Sequence, residues 1–133
     1  MQYAKELVAA FPEQLFIIDH LAKPQVKDRN IDQWKKDMRA IAEYENVYCK
    51  VSGMVTEADW KNWKKEDFHP YLDVVVNAFG AKRILFGSDW PVCLVAASYA
   101  TMLGIVKDYF SSFTQREQDL FFGGNASVFY HVD

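Results

Sequence analysis

Cysteine and histidine are scarce in these 133 residues: Cys49 and Cys93, and His20, His69 and His131. Two cysteines beside apolar runs do not make a disulfide framework. They are expected as reduced, buried small residues of a cytoplasmic protein, although Cys93, just past Pro91, could also be a thiol near a site. No apolar run approaches the roughly 20 residues that span a bilayer, and the first residues lack the apolar stretch of a secretory leader. Neither sign of charge dominates, with 15 basic and 18 acidic residues and a net charge of −3, so a nucleic-acid surface is not expected. There is no low-complexity tract and no clear repeat of about 20–50 residues. What is plentiful is apolar and aromatic: 50% of residues are hydrophobic and 16% aromatic, which excludes disorder. The length suits one domain, taken as residues 1–133.

The densest information lies in Arg83-Ile84-Leu85-Phe86-Gly87-Ser88-Asp89-Trp90-Pro91. Ile84 to Phe86 is apolar without alternation, as in a strand buried on both faces of a parallel sheet. Gly87 permits a turn or a close approach, Pro91 stops the strand, and Asp89 is delivered at its C-terminal end. Leu15 to His20 and Val47 to Ser52 have the same design: apolar runs that stop at polar residues. Between them the spacing predicts helices over 2–11, 31–44, 68–79, 94–110 and 114–124, with a short last one to about His131. Asn30 is expected to cap the second, Thr114 with Glu117 to form a capping box, and Asn125 to cap the last. The order α, β, α, β, α, β, α, α, α implies an α/β fold with parallel strands and right-handed crossovers.

Three strand ends then bring polar side chains to one edge of the sheet: Asp19-His20, Lys50 with Ser52, and Ser88-Asp89. Alternation along each strand puts Tyr48, Lys50 and Ser52 on one face, Leu85, Gly87 and Asp89 on one face, and His20 with Phe16 and Ile18. Convergence of His20, Lys50, Ser52 and Asp89 would suit either metal binding or general base catalysis. Plainer roles exist for each. Asp89 could cap a turn, His20 could be a satisfied turn residue, Lys50 a solvated edge residue, and Ser52-Gly53 ordinary turn chemistry. His69 before Pro70 suits a structural role, and Trp60 and Trp63 suit a packed covering loop more than a sugar platform.

Ile18-Asp19-His20-Leu21-Ala22-Lys23-Pro24, Lys50-Val51-Ser52-Gly53 and Arg83 to Val92, with Gly124-Asn125-Ala126 and Tyr130 near the end, together resemble the amidohydrolase-2 family, most of all its sugar-lactone hydrolase branch. The resemblance implies the C-terminal part, about three βα units, of a (β/α)8 TIM barrel with its site at the C-terminal face of the strands. It implies Asp89 as the base that activates water and His20 beside it as a catalytic residue. Lys50, Ser52 and Trp90 would bind substrate, and His20 and Asp89 would be ligands wherever a divalent metal, zinc first, is present; some relatives work without one. The implied partner is a small sugar lactone. A metal-dependent decarboxylation on the same barrel is the alternative chemistry.

A barrel of this kind needs about 250 residues, and the His-x-His of the family's first strand does not occur in this sequence. Three strands alone leave two open edges and an apolar inner face. The expectation is therefore a chain that belongs to a longer protein, comes from a truncated gene, or associates with copies of itself or with a missing N-terminal half. In the last two cases it could be a catalytically incomplete fragment.

Overall fold

The computed structural model describes residues 1–132. The chain runs α1 (Gln2–Ala10), β1 (Phe16–Ile18), α2 (Asp32–Ala42), β2 (Val47–Val51), α3 (His69–Phe79), β3 (Ile84–Phe86), α4 (Tyr99–Phe110), α5 (Gln115–Asp119) and α6 (Asn125–Tyr130). The three strands form one sheet in the order β1-β2-β3. Both pairings are parallel, with Ile17 opposite Tyr48 and Lys50 opposite Leu85. This is the expected α/β arrangement of βα units.

Period-two alternation divides β2 into two faces. Val47, Cys49 and Val51 are buried, whereas Tyr48 and Lys50 on the other face are only partly covered. The buried set packs toward α2 and α3. Helix α2 supplies Trp34, Met38, Ile41 and Ala42, all buried and all on the face that the sequence spacing predicts. On the far side of β3, Phe110 stacks on Phe121 with centroids 4.0 Å apart, and Phe86 meets Phe121 and Phe122.

The N-terminal ends of the strands are tied by side chains bonding to main-chain carbonyls. Arg83 donates from Nη1 to the carbonyls of Tyr44 (2.9 Å) and Val47 (3.0 Å), and from Nη2 to that of Ala42 (3.0 Å). Burial in that position pushes its guanidinium pKa down, against the nearby Glu45. Asn125 is buried and donates through Nδ2 to the carbonyls of Ala81 and Ile84, each at 2.7 Å.

Several boundaries differ from the sequence expectation. Asn30 bonds the Gln25 side chain rather than capping α2, and the N-terminal flank of α2 is Ile31. The helix expected from Leu94 is broken: a short 3-10 turn at Val92–Val95 precedes α4, which begins after a Ser98 cap. Gly123-Gly124 is not a stop. A π-helical turn, Leu120–Gly124, carries α5 directly into α6, so Asn125 works inside the helical run and not as a cap. The Thr114–Glu117 capping box is present.

The feature that matters most for the site follows β1. His20, Leu21, Ala22 and Lys23 have φ of 51°, 52°, 56° and 50°, a left-handed turn of four non-glycine residues. Each such residue costs roughly 1–2 kcal/mol relative to the right-handed form. Three contacts offset that cost. Leu21 is fully buried, its carbonyl accepts the Trp34 indole N–H at 2.7 Å, and Lys23 N–H donates to the His20 carbonyl at 2.8 Å. Trp34→Phe keeps the ring and removes the bond to Leu21. It is expected to cost about 1–2 kcal/mol in urea unfolding and to speed amide exchange at Lys23. An unchanged exchange rate would show that the turn does not depend on α2.

Candidate active site

Each strand brings its polar residues to the C-terminal end of the sheet. The left-handed turn after β1 aims His20 across to β2, where its Nδ1 shares a hydrogen bond with Ser52 Oγ at 2.9 Å. The same nitrogen lies 3.6 Å from Asp89 Oδ1, delivered from β3. Asp89 itself has φ of 56°, and its carbonyl accepts the Cys93 N–H at 2.8 Å, which holds the segment after Ser88 in place. The Asp89 side chain is 13% exposed and His20 35%, so the carboxylate sits at the bottom of the group and the imidazole nearer its mouth.

Two glycines make room for this packing. Gly53 has φ of +66°, and a Cβ there would lie 2.9 Å from His20 Cβ. A Cβ on Gly87 would lie 3.0 Å from both Lys50 Cδ and Ser52 Cβ. These are the positions where the backbone itself is the wall of the site.

Lys50, on the central strand, is not a solvated edge residue. Its Nζ lies 2.6 Å from Asp19 Oδ1 and 5.5 Å from the centroid of the Tyr130 ring. Burial works against the ammonium, but its bonds to Asp19 and Tyr130 outweigh that and hold its pKa above the usual lysine value.

The register corrects the facing argument made from sequence. Phe16 and Ile18 pair with Val47 and Cys49, the helix-facing set, so a straight continuation of β1 would send His20 into the helix layer. The left-handed turn redirects it. Ile17 pairs with Tyr48, so alternation puts Asp19 on the Lys50 face. Asp19 had no assigned role in the sequence, although the period-two signal from Ile17 could have found it. Tyr130 is brought over Lys50 by α6, a placement that only the tertiary structure shows.

The remaining candidates take no part in these side-chain bonds. Trp90 is 64% exposed, and its main-chain N–H donates to Ser88 Oγ. His69 packs edge-on against Tyr109, and His131 is exposed at the end of α6. Trp63 packs on Phe68 and donates to the Ala96 carbonyl, while Trp60, 54% exposed, donates to the Thr56 carbonyl. Cys93 is buried, and burial together with the nearby Asp89 raises its thiol pKa.

A zinc site needs three or four protein ligands. Among the described residues no group of three His, Cys, Asp or Glu side chains comes together. His20 and Asp89 supply two donors, and Asp19 is held by Lys50. The residues of this chain therefore do not by themselves fit a metal centre.

The parallel sheet gathers a histidine, a serine and a carboxylate at its C-terminal edge, the edge where parallel α/β folds place their sites. The amidohydrolase family model matches residues 1–132, and the chain belongs to that family. It is 36% identical over 124 residues to an L-fucono-1,5-lactonase of Burkholderia multivorans, covering 86% of this chain and 42% of that protein. It is 30% identical over 109 residues to an L-rhamnono-gamma-lactonase of Scheffersomyces stipitis, covering 69% and 32%. The crystal structure of an amidohydrolase from Burkholderia multivorans with bound zinc superposes with a TM-score of 0.93 at 33% identity, over 97% of this chain and 48% of that one. The fold is thus part of a TIM barrel, and the chain spans about half the length of the relatives it matches.

Gly53→Ala tests whether the glycine wall places His20. The substitution is expected to cost about 1–3 kcal/mol, from positive-φ strain plus the contact with His20, and to shift the His20 ring resonances in NMR spectra. A folded Gly53→Ala protein with an unmoved His20 spectrum would contradict this account.

Proposed function

We propose that this chain carries the catalytic carboxylate of a hydrolase that opens a sugar lactone. The observation that supports this best is the meeting of His20, Ser52 and Asp89 at the C-terminal ends of parallel strands, in a chain whose relatives include named lactonases. Asp89, with its oxygen toward the imidazole, accepts a proton from water. The hydroxide adds to the lactone carbonyl, and the oxyanion that forms is met by His20. Collapse breaks the ring C–O bond, and the proton on Asp89 passes to the leaving alkoxide. Ser52 anchors the imidazole, and Trp90 offers an exposed indole against which a sugar ring can lie. The zinc found in the Burkholderia multivorans structure fits the proposal that His20 and Asp89 would face a divalent metal when ligands from outside this chain complete it.

A second reading concerns assembly. Among the described residues β1 and β3 each have one free edge. Tyr3, Leu7 and Phe11 stand exposed at the α1 end, and Val128, Tyr130 and Val132 at the α6 end. Both flanks are apolar enough to be covered by further barrel units, from a second copy or from another polypeptide.

Asp89→Asn is expected to reduce turnover of L-fucono-1,5-lactone by about a hundred- to ten-thousand-fold, followed with a pH indicator as acid is released. Near-normal turnover in the variant would overturn the assignment of the base. Light scattering on the purified chain is expected to give at least twice the mass of one copy. A monomer at all concentrations would remove self-association and leave a different polypeptide as the covering half.

A further inference from the structure

The Lys50–Asp19 pair does none of the proton transfers above, yet it stands on the inner face of the same sheet end. An ammonium at the C-terminal end of a parallel strand is a ready partner for a ligand carboxylate. Here that partner is built in: Asp19 Oδ1 lies 2.6 Å from Lys50 Nζ. The Tyr130 ring covers another side of the lysine at 5.5 Å, and Gly87 packs close along its Cγ and Cδ. Lys50 and Asp19 cancel each other. Asp89 remains, beside His20, and among the described residues no lysine or arginine nitrogen lies within 4 Å of its carboxylate. A ligand bearing a carboxylate must compete with Asp19 for Lys50 and approach Asp89. An uncharged ring ester meets neither obstacle.

We propose that Asp19, by occupying Lys50, gives the site a preference for uncharged ring esters and a weak hold on carboxylate ligands, including the acid that the reaction forms. The inference rests on the ring-opening reading for its chemistry. Water's oxygen becomes a carboxyl oxygen and the ring C–O bond breaks. One hydrogen of the water ends on the new hydroxyl, and the other leaves as a proton when the acid ionises at neutral pH. One negative charge therefore appears where Asp89 already carries another, and like-charge repulsion favours release of the product. Asp19 is 56% exposed and Lys50 23%, so solvent screens the effect and about tenfold is the expected scale.

The test is calorimetric titration with D-gluconate, an acyclic sugar acid, and with gluconolactam, an uncharged ring analogue. The proteins are the native chain, Asp19→Asn, Asp19→Ser, Lys50→Met, and the Asp19→Asn/Lys50→Met double variant. Freeing Lys50 in Asp19→Asn and Asp19→Ser is expected to tighten gluconate about tenfold and to leave the lactam within about twofold. The double variant loses the gain. Gluconate binding no tighter in folded Asp19→Asn or Asp19→Ser than in the native chain, including no measurable binding in either, overturns the proposal. So does an equal change for the lactam. Should both Asp19 variants fail to fold, Lys50→Met alone decides: it leaves native gluconate binding within about twofold if Lys50 is already occupied, and a larger loss overturns the idea. None of these titrations needs turnover. The hydrolase reading is tested separately by turnover in Asp89→Asn, so the charge effect can stand while that reading fails, and the reverse.

Discussion

The left-handed turn from His20 to Lys23 is the constraint on which the site depends. Without it, the alternation of β1 would carry His20 toward the helices, because Phe16 and Ile18 are in register with the helix-facing residues of β2. Four non-glycine residues in that conformation are costly, and they persist because buried contacts over-determine them. Leu21 fills the core, and Trp34 of α2 bonds its carbonyl. The amphipathic helix that looks merely structural in the sequence therefore holds the imidazole in place. Gly53 completes the arrangement by letting the backbone of the next strand end pass against His20 without a side chain between them.

The two ends of the sheet divide the work. At the N-terminal end, Arg83 and Asn125 bond main-chain carbonyls and hold β2, β3 and the ends of the neighbouring helices together. At the C-terminal end the same strands present side chains that bond one another: His20 to Ser52, Lys50 to Asp19, with Asp89 alongside. The bonds that tie the fold and the candidate site are thereby separated along the strand axis, the division that barrel enzymes use. The sheet alone is three strands wide, and its inner face carries Tyr48 and Lys50, only partly covered. Such a face is finished by further strands, which agrees with a chain about half as long as its relatives.

Much of the element order was legible because each element has a strong local cause. The apolar spacing of α2, the capping box at Thr114, the unbroken apolar run of β3 and the motifs around His20 and Asp89 are all patterns within a few residues. The illegible parts are those where distant contacts overrule local preference. Gly123-Gly124 looks like a helix end, but the chain stays helical because Asn125 is bonded to Ala81 and Ile84, more than forty residues away. Asn30 looks like a cap, but Gln25 takes its amide.

By itself, then, the sequence determined the α/β class, the parallel order of βα units, the family, and which strand ends carry polar residues. All of these are set by short-range periodicity and by residues adjacent along the chain. Only the tertiary structure decided which side chains meet. The direction of His20 depends on a turn stabilised from α2, the partner of Lys50 depends on register between β1 and β2, and Tyr130 reaches Lys50 from the last helix. Each is a long-range relation, fixed by packing between elements, and packing leaves no local pattern in the residues that it brings together.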